Sequence, residues 1–251
     1  MTRLWIVLSA VLSAAGPLMA TWDPARALVY LAASLVLGIG TFWFLLRQSL
    51  NTPHAPRFLL APAGLALASD GFFLFLEYDA HRYALAALLG ILWLVYAEHV
   101  RLYVFESHRY RVYTLERLTF VFSTLSAFLS AMVSLGFLVL AQFPLWILVP
   151  LFFLGETLFI FETLWASKME EESVRRISIF GSLLLTEFFV VFSFFPLSHL
   201  VSAAALALLH YGLLGLLRAE LIDRLERRVL VRYLVFVGLL LLLILSTARW
   251  S

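Results

Sequence analysis

The chain has no cysteine. Disulfides, thiolate nucleophiles, iron–sulfur clusters and cysteine zinc sites are therefore excluded. Lysine is nearly missing as well: Lys168 stands alone against 17 arginines. It sits in a charged segment between apolar runs, which argues against a retinal-type Schiff base buried in a bundle. Charged residues make up only 14% of the 251 residues, against roughly 25% in an ordinary soluble domain. The basic residues form no run or patch that could follow a phosphate backbone, so a nucleic-acid partner is not expected. What the chain has in excess is apolar side chains, at 63%. A globular protein of that composition would expose apolar surface on every side, so its solvent must be lipid.

A spanning helix needs about 20 mostly apolar residues. Such stretches run Leu4–Ala20, Ala27–Leu46, Phe58–Phe75, Tyr83–Phe105, Leu118–Ala141, Phe143–Ala166, Ile177–Phe195, His199–Leu217 and Leu230–Thr247. Prolines mark several breaks: Pro24, the pair Pro53 and Pro56 around His54, Pro144 and Pro196. A proline removes a helical hydrogen bond and turns the preceding residue away from the helical region. The run from Leu118 to Ala166 would reach about 70 Å as one helix, more than twice the hydrocarbon thickness, so it must fold back at Gln142-Phe143-Pro144. The expected fold is all-α: a polytopic transmembrane helical bundle of about nine spans, forming a single integral membrane domain over residues 1–251.

Charge placement tests this count. With nine spans, one side collects Arg3, Arg47, Arg57, Arg101, Arg109, Arg111, Arg117, Lys168, Arg175, Arg176, Arg218, Arg224, Arg227, Arg228 and Arg232, which is 15 basic residues. The other side has three: Arg26, Arg82 and Arg249. Cytoplasmic loops carry the excess of Lys and Arg, so the N-terminus is expected in the cytoplasm and the C-terminus outside, in the cell (inner) membrane. The first span loosely imitates a secretory signal. A cut after Ala20 would place Leu18 where a small residue is needed, so the span is expected to be retained.

The outer loops are short and the inner ones longer, giving hairpins joined on the cytoplasmic side. Glu220 with Arg224 and Asp223 with Arg227 have the i,i+4 spacing of helix-surface pairs, so the eighth helix is expected to continue past the boundary. Between Arg101 and Arg117, Tyr103, Phe105, Tyr110 and Tyr113 alternate with arginines, a mixture suited to the headgroup layer. Ser126, Ser130 and Ser134, with Ala127 and Ala131, give the fifth span a smooth ridge for close helix packing. Gly64 with Ala68, and Ala203 with Ala207, repeat the spacing.

Ionisable groups inside spans are expensive, and each is a functional candidate. Asp70, Glu156, Glu187 and His210 fall near mid-depth of the third, sixth, seventh and eighth spans and are the primary proton- or ion-binding candidates. Glu98, His99 and Glu162 lie nearer the inner boundary, and Glu77 nearer the outer one; these four are secondary. Asp70 and Glu77 are seven apart, which on one continuous helix would give a polar file toward the outside. Glu156 and Glu162, six apart, face about 120° away from each other. Glu98 precedes Arg101 by three, the spacing of a local ion pair.

Three function classes follow. Buried carboxyls without a cation at their depth suit a secondary transporter coupled to protons or a cation. The partners then expected are the lipid bilayer and a proton, cation or small molecule. An intramembrane enzyme acting on a lipid-linked substrate is the second class. Its metal-hydrolase form lacks a His-Glu-x-x-His, its aspartyl-protease form lacks a second buried aspartate, and no aspartate-rich prenyl-transfer motif is present. The third is a scaffold or assembly subunit whose carboxyls fix helix pairing. No cofactor is expected; haem between His99 and His210 is the weakest of the readings weighed. Catalytic and metal-ligating residues, substrate and oligomeric state stay open at this point.

Overall fold

In lipid the backbone can satisfy its own polar groups only by folding into helices or closed barrels. Runs rich in Leu, Ala and Phe and broken by proline take the first course. The computed structural model describes residues 2–47, 55–106, 108–111, 113–167, 171–221 and 225–248. These residues form nine α-helices and no strand: α1 (Thr2–Trp22), α2 (Ala27–Arg47), α3 (Leu60–Phe73), α4 (Asp79–Phe105), α5 (Thr114–Leu140), α6 (Leu145–Ala166), α7 (Glu171–Ser193), α8 (His199–Leu221) and α9 (Arg227–Thr247). Eight of them are long and apolar enough to cross a membrane, so this is a multi-pass helical membrane protein. The exception is α3, whose 14 residues reach only about 21 Å. A 3-10 segment, Ala55–Leu59, precedes it.

The breaks lie where proline dictated. Pro24 opens a 3-10 turn between α1 and α2, and Pro144 is the extended residue that starts α6. Between α5 and α6, Gln142 takes the left-handed conformation (φ 52°). The Phe143 N–H then turns back to the Phe137 carbonyl at 3.0 Å, and the two rings pack 5.9 Å apart. This closes the end of α5 and reverses the chain. α8 continues to Leu221, past the end read from hydropathy. Lys168, His54, Asp223 and Arg224, with the helix-surface pairs expected of the last two, lie outside the described residues.

The chain folds as two compact units, Met1–Phe122 and Ser123–Ser251, dividing within α5. In the first, α1 packs against α2 and α4 through small residues. A Cβ on Gly38 would sit 3.3 Å from that of Ser13, and one on Gly90 would sit 3.2 Å from that of Ala14. Bulk at either position would push the helices apart, which is why small residues line such contacts in lipid. Phe42, fully buried, meets Trp93 and Tyr96 edge-on, and Trp93 Nε1 donates to Ser9 Oγ at 3.2 Å. Aromatic edge contacts of this kind add about 0.5–1.5 kcal/mol beyond burial.

The second unit is a run of neighbouring helices, each packed on the next from α6 to α9. Phe152 of α6 stacks on Phe189 of α7 at 4.4 Å, and Thr157 bonds Ser182 across the same pair at 2.7 Å. α8 meets α9 where Gly212 and Gly215 admit Val237 and Tyr233; a Cβ on either glycine would overlap those side chains. No residue of α9 is fully buried.

Candidate functional site

Glu156 belongs to the buried stripe of α6, with Leu148, Phe152, Phe159 and Thr163 at three- and four-residue steps. His210 occupies the corresponding stripe of α8, between Leu206 and Leu214. Helical periodicity therefore turns both side chains inward, and they meet: His210 Nδ1 lies 2.6 Å from Glu156 Oε2. On its other edge, His210 Nε2 lies 2.9 Å from the Oγ of Ser123 on α5. Ser123 Oγ also lies 3.0 Å from the Phe159 carbonyl, which accepts a second side-chain bond from Thr163 Oγ1 at 3.0 Å. Glu156 and His210 are each 1% exposed and Ser123 2%.

The hydrogen inventory of this chain limits its protonation states. When Ser123 donates to the Phe159 carbonyl, its oxygen accepts from His210 Nε2–H. One further proton is then shared between Nδ1 and Glu156, and the cluster is neutral overall. When Ser123 instead turns its hydroxyl to Nε2, Nδ1–H donates to an ionised Glu156, and the cluster has one proton fewer. The Phe159 carbonyl keeps Thr163 as a donor in that second state. The cluster can therefore hold or release one proton while the Nδ1–Oε2 and Nε2–Oγ contacts both stay hydrogen-bonded. The order serine, histidine, carboxylate matches the geometry of a nucleophilic triad. Here, however, the serine oxygen is enclosed and directed at a main-chain carbonyl rather than at an approach route.

Of the four central candidates, Glu156 and His210 are brought together within the second unit. Asp70 belongs to the first unit, where it is buried on α3 and its Oδ1 has no hydrogen-bond partner among the described residues. Glu187 is exposed on α7, whose inward face includes instead Ser178, Gly181, Ser182, Leu185, Thr186 and Phe189. Glu162 is buried, and its Oε1 likewise lacks a partner among the described residues.

The polar file expected from Asp70 to Glu77 does not form. α3 ends at Phe73, and the chain tightens into three-residue turns, Phe75 N–H to the Phe72 carbonyl (3.0 Å) and Leu76 N–H to that of Phe73 (3.2 Å), which break the helical register. Glu77 lies exposed in the connection. Arg82 closes this end, donating from Nε to the Leu76 carbonyl at 2.9 Å with its guanidinium 5.3 Å from the Phe73 ring.

At the end of α4, Glu98 forms the pair its spacing suits. Arg101 Nη2 and Nε grip its two oxygens at 2.7 and 2.9 Å, while Nη1 reaches Glu106 at 2.5 Å. Arg109 completes the row on Glu106 at 3.1 Å. Hydrogen bonds from Arg101, then from Arg109, hold the Glu106 carboxyl below its ordinary range. Arg101 is buried, so two carboxylates meet its charge where water does not. Alongside, Tyr103 and Tyr110 pack at 5.1 Å, and burial pushes the Tyr110 hydroxyl above its ordinary range. His99 belongs to this unit, and its Nδ1 is engaged by the Val95 carbonyl at 2.7 Å.

Ser123 and the Arg101–Glu106 pair are the participants sequence reading missed. Ser123 extends the serine ridge of α5 one turn backwards, and that continuation was the available signal. Among the described residues, no three His, Asp or Glu side chains converge as metal ligands would. No curated protein and no solved structure matches the chain. A family model does match, covering residues 3–247, and by it the chain belongs to the family described as "Protein of unknown function (DUF5656)".

Proposed function

We propose that the protein is a proton-coupled membrane transporter in which the Glu156–His210–Ser123 cluster is the proton-binding element. The observation that carries this reading is the enclosed chain Glu156 Oε2–His210–Ser123, whose two ring-nitrogen contacts can be kept in two states differing by one proton. Glu162 lies six residues along α6, a rise of about 9 Å, buried and with an oxygen unengaged among the described residues, and it serves as the next proton station. Protonatable groups in series through a bundle are how many pumps and transporters move charge. Glu187, exposed on α7 of the same unit, takes no part in this element.

The proposed topology has nine crossings. The 3-10 segment Ala55–Leu59 and α3 reach about 31 Å end to end, close to the hydrocarbon thickness of about 30 Å. The links α4–α5, α6–α7 and α8–α9 hold 12 of the 18 basic residues and share one side whether or not α3 crosses. They are cytoplasmic, so the C-terminus is outside in either case. A crossing by α3 adds the N-terminus to the cytoplasmic side and raises the bias to 15 against three; without it the division is 13 against five.

The test is proton flux into proteoliposomes with a trapped pH dye, together with infrared spectra of the full chain after a pH step. Glu156→Gln is expected to remove a titrating protonated-carboxyl band and the flux while leaving the helices intact. Unchanged flux in both Glu156→Gln and His210→Gln would sink the proposal. One observation favours a second reading, a structural lock: the cluster is closed and ties α5, α6 and α8 together. A lock predicts loss of stability in Glu156→Leu with no titrating band in the wild type.

A further inference from the structure

α9 begins with Arg227 and Arg228 and carries Arg232 one turn later. All three are exposed, and none has an ion pair among the described residues. One row of the helix, at four-residue steps, runs Arg227, Val231, Val235, Leu239. The neighbouring row runs Arg228, Arg232, Phe236. Between such rows lies a groove, here of about 750 Å³, cationic at its head and lined along the rest by apolar side chains. The cationic end coincides with the helix N-terminus, whose free N–H groups also favour an anion. Glu226, just before the helix, makes no side-chain cap.

From Arg227 to Leu239 the helix rises about 18 Å, a headgroup depth plus most of one leaflet. A ligand that fits has a negative head and an apolar tail of leaflet length lying parallel to the helix. We infer that this face of α9 holds an anionic phospholipid from the surrounding leaflet, its phosphate on Arg228 and Arg232 and an acyl chain along Val235 and Leu239. Charge complementarity selects this occupant. A second copy would bring three arginines against three, and a zwitterionic lipid would leave the cationic head uncompensated. The inference is independent of the proton cluster.

Native mass spectrometry of the full chain, titrated with phosphatidylglycerol and with phosphatidylcholine of the same chains, tests it. One bound phosphatidylglycerol is expected, preferred over phosphatidylcholine. Arg228→Gln with Arg232→Gln should weaken it about twenty-five-fold, at about fivefold per arginine. Arg228→Lys with Arg232→Lys should keep most of the preference, and Leu239→Asp should lose binding with the arginines intact. Equal binding of the two lipids overturns the inference, as does full competition by inorganic phosphate, which would mean an anion site without a lipid. A lipid-free dimer whose mass persists in the wild type and falls in Phe236→Asp also overturns it, because the face would then belong to a second copy. Circular dichroism of each variant confirms that the helices are present before binding is scored.

Discussion

His210 Nδ1 and Glu156 Oε2 stand 2.6 Å apart, 54 residues apart in sequence and both enclosed, with Ser123 holding the far edge of the imidazole. This contact joins a transmembrane carboxyl to a base, and both nitrogens of the imidazole are engaged. Glu156→Gln preserves a donor toward Nδ1 and should change stability by less than 1 kcal/mol. Glu156→Leu strands the imidazole nitrogen and should cost about 1–3 kcal/mol. A double-mutant cycle with His210→Phe, read by thermal denaturation in detergent, should give a coupling of about 0.6 to 1.7 kcal/mol.

Glu162 separates a relay from a structural residue. Its Oε1 is buried with no partner among the described residues, so Glu162→Met should stabilise the protein by about 1–3 kcal/mol. If Glu162 is a proton station, the same variant should also slow proton flux at least tenfold. Gain of stability without loss of flux removes it from the proposed pathway.

α9 is held by the absence of two side chains. A Cβ at Gly215 would overlap the Tyr233 ring, so Gly215→Ala should destabilise the α8–α9 contact by about 1–3 kcal/mol. Tyr233→Ala in the same chain should recover most of that loss. Proteolysis between α8 and α9, faster in the single glycine variant and restored in the double, checks the result.

The row Glu98, Arg101, Glu106, Arg109 makes stability depend on acid. Hydrogen bonds from Arg101 and Arg109 lower the folded pKa of Glu106 from its ordinary 4.5. Its contribution is thus fully present above pH 4.5 and fades as pH falls through the lower folded value. Melting temperatures of wild type and Glu106→Gln from pH 7 to pH 3 should differ most at neutral pH and converge at the acid end. A difference that is constant with pH would mean that the carboxylate charge is not what stabilises the loop.

The lack of cysteine makes topology directly measurable by single-cysteine labelling. Ser198→Cys should react with an impermeant maleimide from outside, and Glu226→Cys only after the membrane is opened. Asp23→Cys decides whether α3 crosses: outside labelling fits nine crossings, and inside labelling fits eight.

The solvent, the helical class and the reversal at Gln142–Pro144 follow from local properties. Hydropathy, proline and charge act within a turn or a loop, and lipid leaves the backbone no alternative to helix. The mid-depth placement of Glu156 and His210 is legible for the same reason. Which stripe meets which is not local. The union of Ser123, Glu156 and His210 rests on α5, α6 and α8 choosing one another across up to 87 residues. The rotation of α7 that exposes Glu187 was equally out of reach, because both faces of a membrane helix are apolar and hydropathy does not tell them apart. Only its ridge of Ser, Gly and Thr marks the packed side. The burial of Arg101 and the early end of α3 belong to the tertiary structure too. For the cluster and for α7, the deciding energy is a hydrogen bond or a close contact between segments that one-dimensional patterns treat separately.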